Sequence, residues 1–480
     1  MMNGIGLDQL QLENRFSLLS ESFYSPVTPQ PLKKPHLVAF STEAAELIGL
    51  DPGRATPEQL SELFGGHRSL EGSNPVATVY SGHQFGGYTP QLGDGRAVLL
   101  GDLAGSDGQR WELQLKGSGK TPYSRHGDGR AALRSVIREY LCSEALAALG
   151  VPTTRALCII GSETQIYRES IEFAANMVRM SPSHIRFGHF EYFYYTRRPE
   201  QLKQLADFVI QHHYPHCVEM DNPYLAMFSE VVERTARLIA KWQSVGFCHG
   251  VMNTDNMSIL GLTLDYGPFG FLDDFQPGYI CNQTDEQGRY AYQQQPSVAM
   301  WNCVCLAQSL MGLVKQSDLE AALNLFEPTY AVAYTEQLKL RLGMAGHINN
   351  DGQLIESFLR LLELAKCDYN AVFLALEKAA SGDVESVTAL LGGTTEVSEW
   401  LSLYLDRLDA NALTLMARNN PRVILRNYLA QQVIERAEKG DFSDLAQLHA
   451  ALRAPYSDAL DIYSRDTPEW GKNVSLSCSS

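Results

Sequence analysis

His249-Gly250-Val251-Met252-Asn253-Thr254-Asp255-Asn256 is followed, nine residues on, by Asp265-Tyr266-Gly267. Asn256 and Asp265 are hard oxygen donors at the two ends of a short connection, the donor type that suits Mg²⁺ or Mn²⁺. His249 stands seven residues before Asn256, the offset of the loop pattern H-[RG]-D-x-x-x-x-N. In that pattern the aspartate takes a proton from a hydroxyl, and here Val251 occupies its place. Valine neither accepts a proton nor binds a cation. Either the loop is chemically inert or another carboxylate does the work, and Asp255 lies one residue before Asn256. An Asx-rich turn is the bland alternative.

The loop and turn are similar to the catalytic loop and metal-binding turn of protein kinases, and the rest of the chain divides accordingly. Between about Pro35 and Arg168, short apolar runs broken by glycine predict a small antiparallel sheet: Val76–Tyr80, Ala97–Leu100, Trp111–Leu115, Leu157–Ile160 and Gln165–Tyr167. One helix is predicted within it, from about Asp128 to Leu149, with Leu133, Val136, Ile137, Tyr140 and Leu141 at helical spacing and Gly150-Val151-Pro152 as its stop. Beyond residue 200, helical patterns run at 200–213, 223–245, 297–314, 318–325, 330–343, 352–365, 370–380 and 424–438. Met257–Leu260 and Leu262–Leu264 are expected to be short strands flanking the metal turn. The polar stretch Gln276–Pro296 falls where an activation segment would lie, without an A-P-E anchor after it. The expected fold is α+β and bilobal, protein-kinase-like. Its parts are an N-terminal extension (1–34), a sheet-rich N-lobe (35–198), a helical C-lobe (199–465) and a C-terminal tail (466–480).

Composition limits the function classes. The chain has 480 residues, 45% hydrophobic and 20% charged, with a formal net charge of −16. The deficit of Lys and Arg argues against a general nucleic-acid binder, while leaving room for a basic pocket inside an acidic body. No apolar run approaches the roughly 20 residues that cross a bilayer, and the N-terminus has no signal or transit character, so a cytoplasmic protein without membrane partners is expected. Nine cysteines without paired metal spacings argue against a disulfide framework or a zinc motif, and most read as buried apolar residues. Cys478 differs, because it lies in a polar tail.

Several residues suit a nucleotide. Gly82, Gly86, Gly87, Gly93 and Gly95 crowd one segment ending in Arg96, where backbone N–H groups could approach phosphates; a long hairpin turn is the plain alternative. Lys116 ends an apolar strand, in the place of a lysine that pairs with phosphates and with a helix glutamate. Glu139 and Glu144 are both eligible partners, and periodicity does not choose between them. Asp128, Gly129 and Arg130 fall at the predicted helix start, where they would cap it or meet a nucleotide. Arg179 and Arg186 could hold a polyphosphate bidentately, against the commoner reading of a solvated or salt-bridged pair.

Gln91-Leu92-Gly93-Asp94-Gly95-Arg96-Ala97, Leu115-Lys116-Gly117-Ser118-Gly119-Lys120-Thr121-Pro122-Tyr123-Ser124-Arg125 and the loop His249 to Ser258 together resemble the selenoprotein O (YdiU) family of kinase-like protein adenylyltransferases. The resemblance covers most of the chain. It implies ATP held flipped relative to kinases, so that AMP passes to Ser, Thr or Tyr hydroxyls and pyrophosphate leaves, with UMP from UTP as a variant. It further implies that Gly93, Gly95, Arg96, Lys116, Asp128, Gly129, Arg179, Arg186 and Asp265 bind nucleotide, with Glu139 as the partner of Lys116. Asn256 and Asp265 would hold Mg²⁺ or Mn²⁺, and Asp255 would be the base. Many eukaryotic members of the family carry selenocysteine near the C-terminus, where this chain has Cys478; a reversible Cys281–Cys478 disulfide and thiol-redox partners are expected on that ground, and the resemblance also implies auto-modification. The rival readings are an atypical kinase moving the γ-phosphoryl group and a redox-responsive pseudokinase scaffold without turnover.

Overall fold

A computed structural model describes residues 4–457, 463, 467–474, 476 and 477. Its N-terminal half is built on one antiparallel sheet. In spatial order the strands are Tyr24–Pro26, Val76–Thr78, Ala97–Ala104, Arg110–Lys116, Ile171–Ser181, Arg155–Gly161 and His36–Phe40. Ala131–Ala132 and Gln165–Tyr167 add short pairings to Ile171–Ser181. Side chains alternate along a strand, so each face of the sheet buries a different set. Met177 and Ala175 pack with the helix Leu133–Ala148 on one face. Leu113, Leu115, Val178 and Met180 face the other way.

That second face is covered by the N-terminal segment and the helices Thr42–Leu47 and Pro57–Phe64. Leu7, Leu10, Leu12 and Leu32 are at most 4% exposed, and each such leucine contributes roughly 2 kcal/mol of burial. Residues before 35, expected as an extension, therefore supply a wall of the N-lobe core.

The helical lobe is organised by Pro223–Val245, which Asn222 caps by accepting from the Leu225 N–H at 3.1 Å. Gly246, at φ 73°, ends that helix in the left-handed region, where glycine has no Cβ penalty. The chain then enters Phe247–Cys248, which pairs with Gly270–Phe271. The loop and turn hang between these two short strands, so the stretch from His249 to Asp265 is anchored at both ends.

The eight helices expected after residue 200 are present within a few residues, that at 223–245 with its bounds unchanged. Four expectations need correction. The helix expected from Asp128 begins at Leu133, because Ala131–Ala132 first pairs with the sheet. Met257–Leu260 and Leu262–Leu264 are not strands; isolated bridges, Arg186 to Ser258 and Thr153 to Thr263, pin this apolar chain. The expected sheet ended with Gln165–Tyr167, yet Ile171–Ser181, which carries Arg179, is a further strand within it. The aromatic run Phe187–Tyr195, absent from the expected elements, forms a buried helix at the junction of the lobes.

Candidate active site

Register brings the cations together. Gln114 and Lys116 share one sheet face, and Arg179 lies opposite Gln114 on the neighbouring strand. The Lys116 ammonium pairs with Glu139, in the second turn of Leu133–Ala148. Arg179 donates from Nε to Glu139 at 2.9 Å and from NH1 to Gln114 at 3.1 Å, while its NH2 reaches both Glu139 and Asp265. Arg186 pairs with the other oxygen of Asp265 and donates to the Asp255 carbonyl at 2.9 Å. Glu144, the alternative partner, instead takes Arg155 at 2.7 and 2.8 Å and Ser41 at 3.0 Å.

Lys116, Arg179 and Arg186 are all buried, facing the two carboxylates Glu139 and Asp265. Burial works against charge on both carboxyls, but Arg179 and Lys116 outweigh it at Glu139, and Arg179, Arg186 and Lys116 outweigh it at Asp265. Both stay ionised. Burial draws the Lys116 ammonium down to about 8, which leaves it protonated at neutral pH. Three cations over two anions give the cleft floor an excess positive charge, a physical requirement for holding a polyphosphate. The cleft above it encloses about 440 Å³.

Asp255 sits in the one-turn helix Thr254–Asn256 at the rim of that floor. Its Oδ2 accepts from Gln84 Nε2 at 3.1 Å, whereas Oδ1 is buried without a protein partner. Burial pushes its carboxyl up to about 7, with Gln84 and Arg186 opposing the rise. A carboxyl poised near neutrality suits proton acceptance. Asn256 donates its amide N–H to the Val251 carbonyl at 3.0 Å, a bond that does not use its amide oxygen. Asp265 turns the chain at φ 58°, a conformation that aspartate tolerates. His249 is buried; its Nδ1 accepts from the Val251 N–H at 3.3 Å, so Nε2 carries the proton and donates to the Leu264 carbonyl at 3.0 Å. The histidine thus ties the loop to the residue before Asp265.

The glycine-rich segment divides into two parts. Gly82–Gln84 and Gly87–Thr89 form a hairpin that docks on the loop. The His83 N–H donates to Thr254 Oγ1 at 2.7 Å, and the Phe85 N–H reaches Asn253 Oδ1 at 3.2 Å and the Tyr290 hydroxyl at 2.9 Å. Gly82 has no Cβ because one would stand 2.5 Å from Asp255 Oδ1. Gly93, Gly95 and Arg96 continue past the hairpin into the cleft wall, with Arg96 exposed. Asp128 and Gly129 also line the cleft, yet Asp128 does not cap a helix: Arg168 clasps it at 2.8 and 2.9 Å, and this bond holds its carboxyl below the usual range.

Sequence reasoning passed over Gln84, Asp94, Arg168 and Glu191. Asp94 is buried, accepting from Thr78 N–H and Oγ1 at 2.9 and 2.7 Å, and burial raises its carboxyl. The glycine crowding and the Gln91–Ala97 motif marked the segment without giving Asp94 a role. Cys281 lies outside the cleft lining; its buried thiol donates to the Cys248 carbonyl at 3.4 Å, and burial holds it well above the ordinary thiol range. The Gln283 N–H takes the Leu476 carbonyl at 2.9 Å, so the tail reaches this segment. Cys478 lies outside the described residues.

A sheet-borne lysine paired with a helix glutamate, opposite a loop and turn carrying Asn and Asp, defines a kinase-like nucleotide cleft lacking the usual loop aspartate. The chain belongs to the family described as "Protein adenylyltransferase SelO", whose model matches residues 7–453. It is 49% identical to the "Protein nucleotidyltransferase YdiU" of Pseudomonas fluorescens (strain Pf0-1) across 99% of each chain. The proteins of that name from Ectopseudomonas mendocina (strain ymp) and Pseudomonas aeruginosa (strain LESB58) are each 48% identical over 99% of both chains. Among solved structures, the Toxoplasma gondii virulence factor ROP2, which has a protein-kinase fold, is similar at 10% identity and TM-score 0.23, covering 69% of this chain and 87% of that one. The kinase-like reading rests instead on the lobes and cleft themselves. No described helix is long and apolar enough to cross a membrane.

Proposed function

We propose that this protein is a protein adenylyltransferase that moves AMP from ATP to Ser, Thr or Tyr hydroxyls. The observation that carries this reading is the convergence of buried Lys116, Arg179 and Arg186 on Asp265, in the same cleft as the unpartnered Oδ1 of Asp255. A cationic floor deep between the lobes suits a triphosphate placed where a kinase would put adenine, with the α-phosphorus toward the rim. Gly93, Gly95, Arg96, Asp128 and Gly129 would line the nucleotide's path. The hydroxyl oxygen of the acceptor attacks the α-phosphorus, its proton passes to Asp255, the bond from the α-phosphorus to the α,β-bridging oxygen breaks, and pyrophosphate leaves. The guanidinium groups offset charge developing on the phosphoryl oxygens.

Asn256 and Asp265 would hold Mg²⁺ or Mn²⁺, a fit supported by the Asn256 oxygen left over from its Val251 bond and by the hard-oxygen character of both donors. A cation there supplies further charge neutralisation on the phosphates. In the nucleotide-free protein Asp265 is the counter-ion of the cations; an arriving triphosphate takes over the arginines and releases that carboxylate. UTP is proposed as an alternative donor and the protein itself as one acceptor. The Cys281–Cys478 disulfide is proposed as a brake that pins the tail, in keeping with the Gln283–Leu476 contact, and thiol-redox proteins would reset it. Absence of that crosslink in non-reducing peptide maps after mild oxidation would remove the idea.

The test is incubation of reduced protein with Mg²⁺ or Mn²⁺ and ATP labelled at the α or the γ phosphate, beside Asp265→Ala. Label retained only from α-labelled ATP, and lost in the variant, is the expected result. Retention only from the γ label would make the protein an atypical kinase, and retention from neither a nucleotide-binding scaffold.

A further inference from the structure

One carboxylate next to the loop has no strong cation. Glu191, in the second turn of Phe187–Tyr195, is fully buried. Among the described residues its single ion-pair partner is His83, Nδ1 to Oε1 at 3.0 Å, and its other oxygen accepts from Thr254 Oγ1 at 2.7 Å. Cys305, on the helix Gln295–Leu310, is buried beside them. The His83 nitrogen, a Glu191 oxygen and the Cys305 sulfur all lie within 4.8 Å of one another. Burying a carboxylate demands a counter-charge, and His83 supplies one only when protonated.

We propose that His83, Glu191 and Cys305 form a binding site for a thiolate-seeking divalent cation, Zn²⁺, distinct from the nucleotide cleft. One imidazole, one carboxylate and one thiolate are a zinc ligand set, and the two anions balance the ion's charge. Tetrahedral zinc places its ligand atoms roughly 3.3–3.7 Å apart, so separations of at most 4.8 Å close by about 1.5 Å or less. On binding, the Cys305 thiol gives up its proton to solvent, neutral His83 shifts its proton from Nδ1 to Nε2, and water fills the fourth position. Thr254 already holds the second oxygen of Glu191, the kind of outer contact that orients a metal-ligating carboxylate. His83 is only half-buried, and Trp301, edge-on to it at 5.3 Å, lines an open groove of about 680 Å³. Mg²⁺, which prefers oxygen donors, is not a competitor here.

Spacing along the chain could not show this site, because its ligands come from positions 83, 191 and 305. Its position gives it a consequence, which rests on the proposed transfer reaction. Thr254 Oγ1 accepts from the His83 N–H at 2.7 Å and directly precedes Asp255 in the chain, while Gln84, next to His83, holds the Asp255 carboxylate. Contraction around zinc draws on both supports of Asp255, so zinc slows transfer.

The experiment uses full-length, metal-free, phosphine-reduced protein with excess Mg²⁺. Zinc is titrated in competition with a chromophoric chelator, and Co²⁺ is added separately to read the thiolate-to-cobalt charge-transfer band. One equivalent bound and a band that Cys305→Ser abolishes and Cys217→Ser leaves intact are expected. The second variant controls for the other cluster, exposed His216 with buried Cys217 and half-buried Glu230. Unchanged basal transfer and far-ultraviolet dichroism in Cys305→Ser establish that it is folded. A band or stoichiometry that survives Cys305→Ser overturns the site, as does absence of stoichiometric binding. If zinc binds as expected while α-label transfer is equally fast with and without it, the site stands and its coupling to Asp255 is overturned. A protein that transfers nothing still reports on the site through the cobalt band.

Discussion

Gly82→Ala is the sharpest test of how the hairpin serves the loop. An alanine Cβ at this position would stand 2.5 Å from Asp255 Oδ1, 2.9 Å from its Cβ and 3.0 Å from its Cγ. Ordinary contact begins near 3.4 Å, so relief requires a relative displacement of 3.4 − 2.5, about 0.9 Å. The backbone at Gly82 is not in the left-handed region, so the substitution acts through this clash and not through strain. A misplacement of about 1 Å at a reacting group costs on the order of a hundredfold in rate, or roughly 2.7 kcal/mol of barrier. Lys116 and Arg179 are held by the sheet and by Glu139, and Arg186 by the Asp265 carboxylate, so none of these pairs is the clashing contact. The loss is therefore expected in kcat, with KM for ATP within a fewfold of the parent. Gly87→Ala is the matched control, because its nearest neighbour would be the Gln84 carbonyl at 3.6 Å. Steady-state transfer of α-labelled AMP with both variants decides the matter. If Gly82→Ala keeps more than half the parental kcat, or if it costs a further hundredfold in an Asp255→Asn background, the hairpin does not position that carboxylate.

Three further outcomes are expected. Gln84→Ala removes the 3.1 Å bond to Asp255 and should lower kcat about tenfold, with ATP affinity measured by calorimetry unchanged. Glu139→Gln leaves Lys116 and Arg179 buried without a full counter-charge and should destabilise the fold by about 3 kcal/mol, read as a lower urea midpoint; an unchanged midpoint would contradict the pairing. In metal-free protein, burial raises the Asp255 carboxyl from 3.8 to about 7, so the folded state holds that proton more tightly than the unfolded chain. The resulting stability is present below pH 3.8, declines as pH rises towards 7 and is absent above it, by roughly 4 kcal/mol at most. Asp255→Asn should accordingly melt higher than the parent at pH 8 and lose that advantage towards pH 4.

What the sequence made legible was whatever is encoded at short range. The offset from His249 to Asn256 and Asp265 fixes a loop and turn, and the apolar strand ending in Lys116 is marked by its composition. Both glutamates of the helix are buried, so hydrophobic spacing could not separate them; Arg155, on a strand that follows the helix, is what draws Glu144 away. Gln84, Asp94, Arg168 and Glu191 take partners 16 to 171 residues distant, beyond any local pattern. The aromatic run Phe187–Tyr195 carries strand-like propensity, yet it is a helix because it is wedged between the lobes. At Met257–Leu264 two isolated bridges took the place of a regular ladder.

The helix that carries Glu139 is held from behind. Tyr140 meets His449 of Ser443–Arg453, hydroxyl to Nδ1 at 3.3 Å, and Arg138 donates to Asn427 and the Phe269 carbonyl at 3.2 and 3.1 Å. In protein kinases the position of the corresponding helix is a switch that makes or breaks the lysine–glutamate pair. Here C-terminal helices and the loop side brace the helix from behind. Opening that pair would mean breaking the contacts of Tyr140 and Arg138 as well. A helix near the end of the chain, Ser443–Arg453, is thereby a structural part of the amino-terminal lobe.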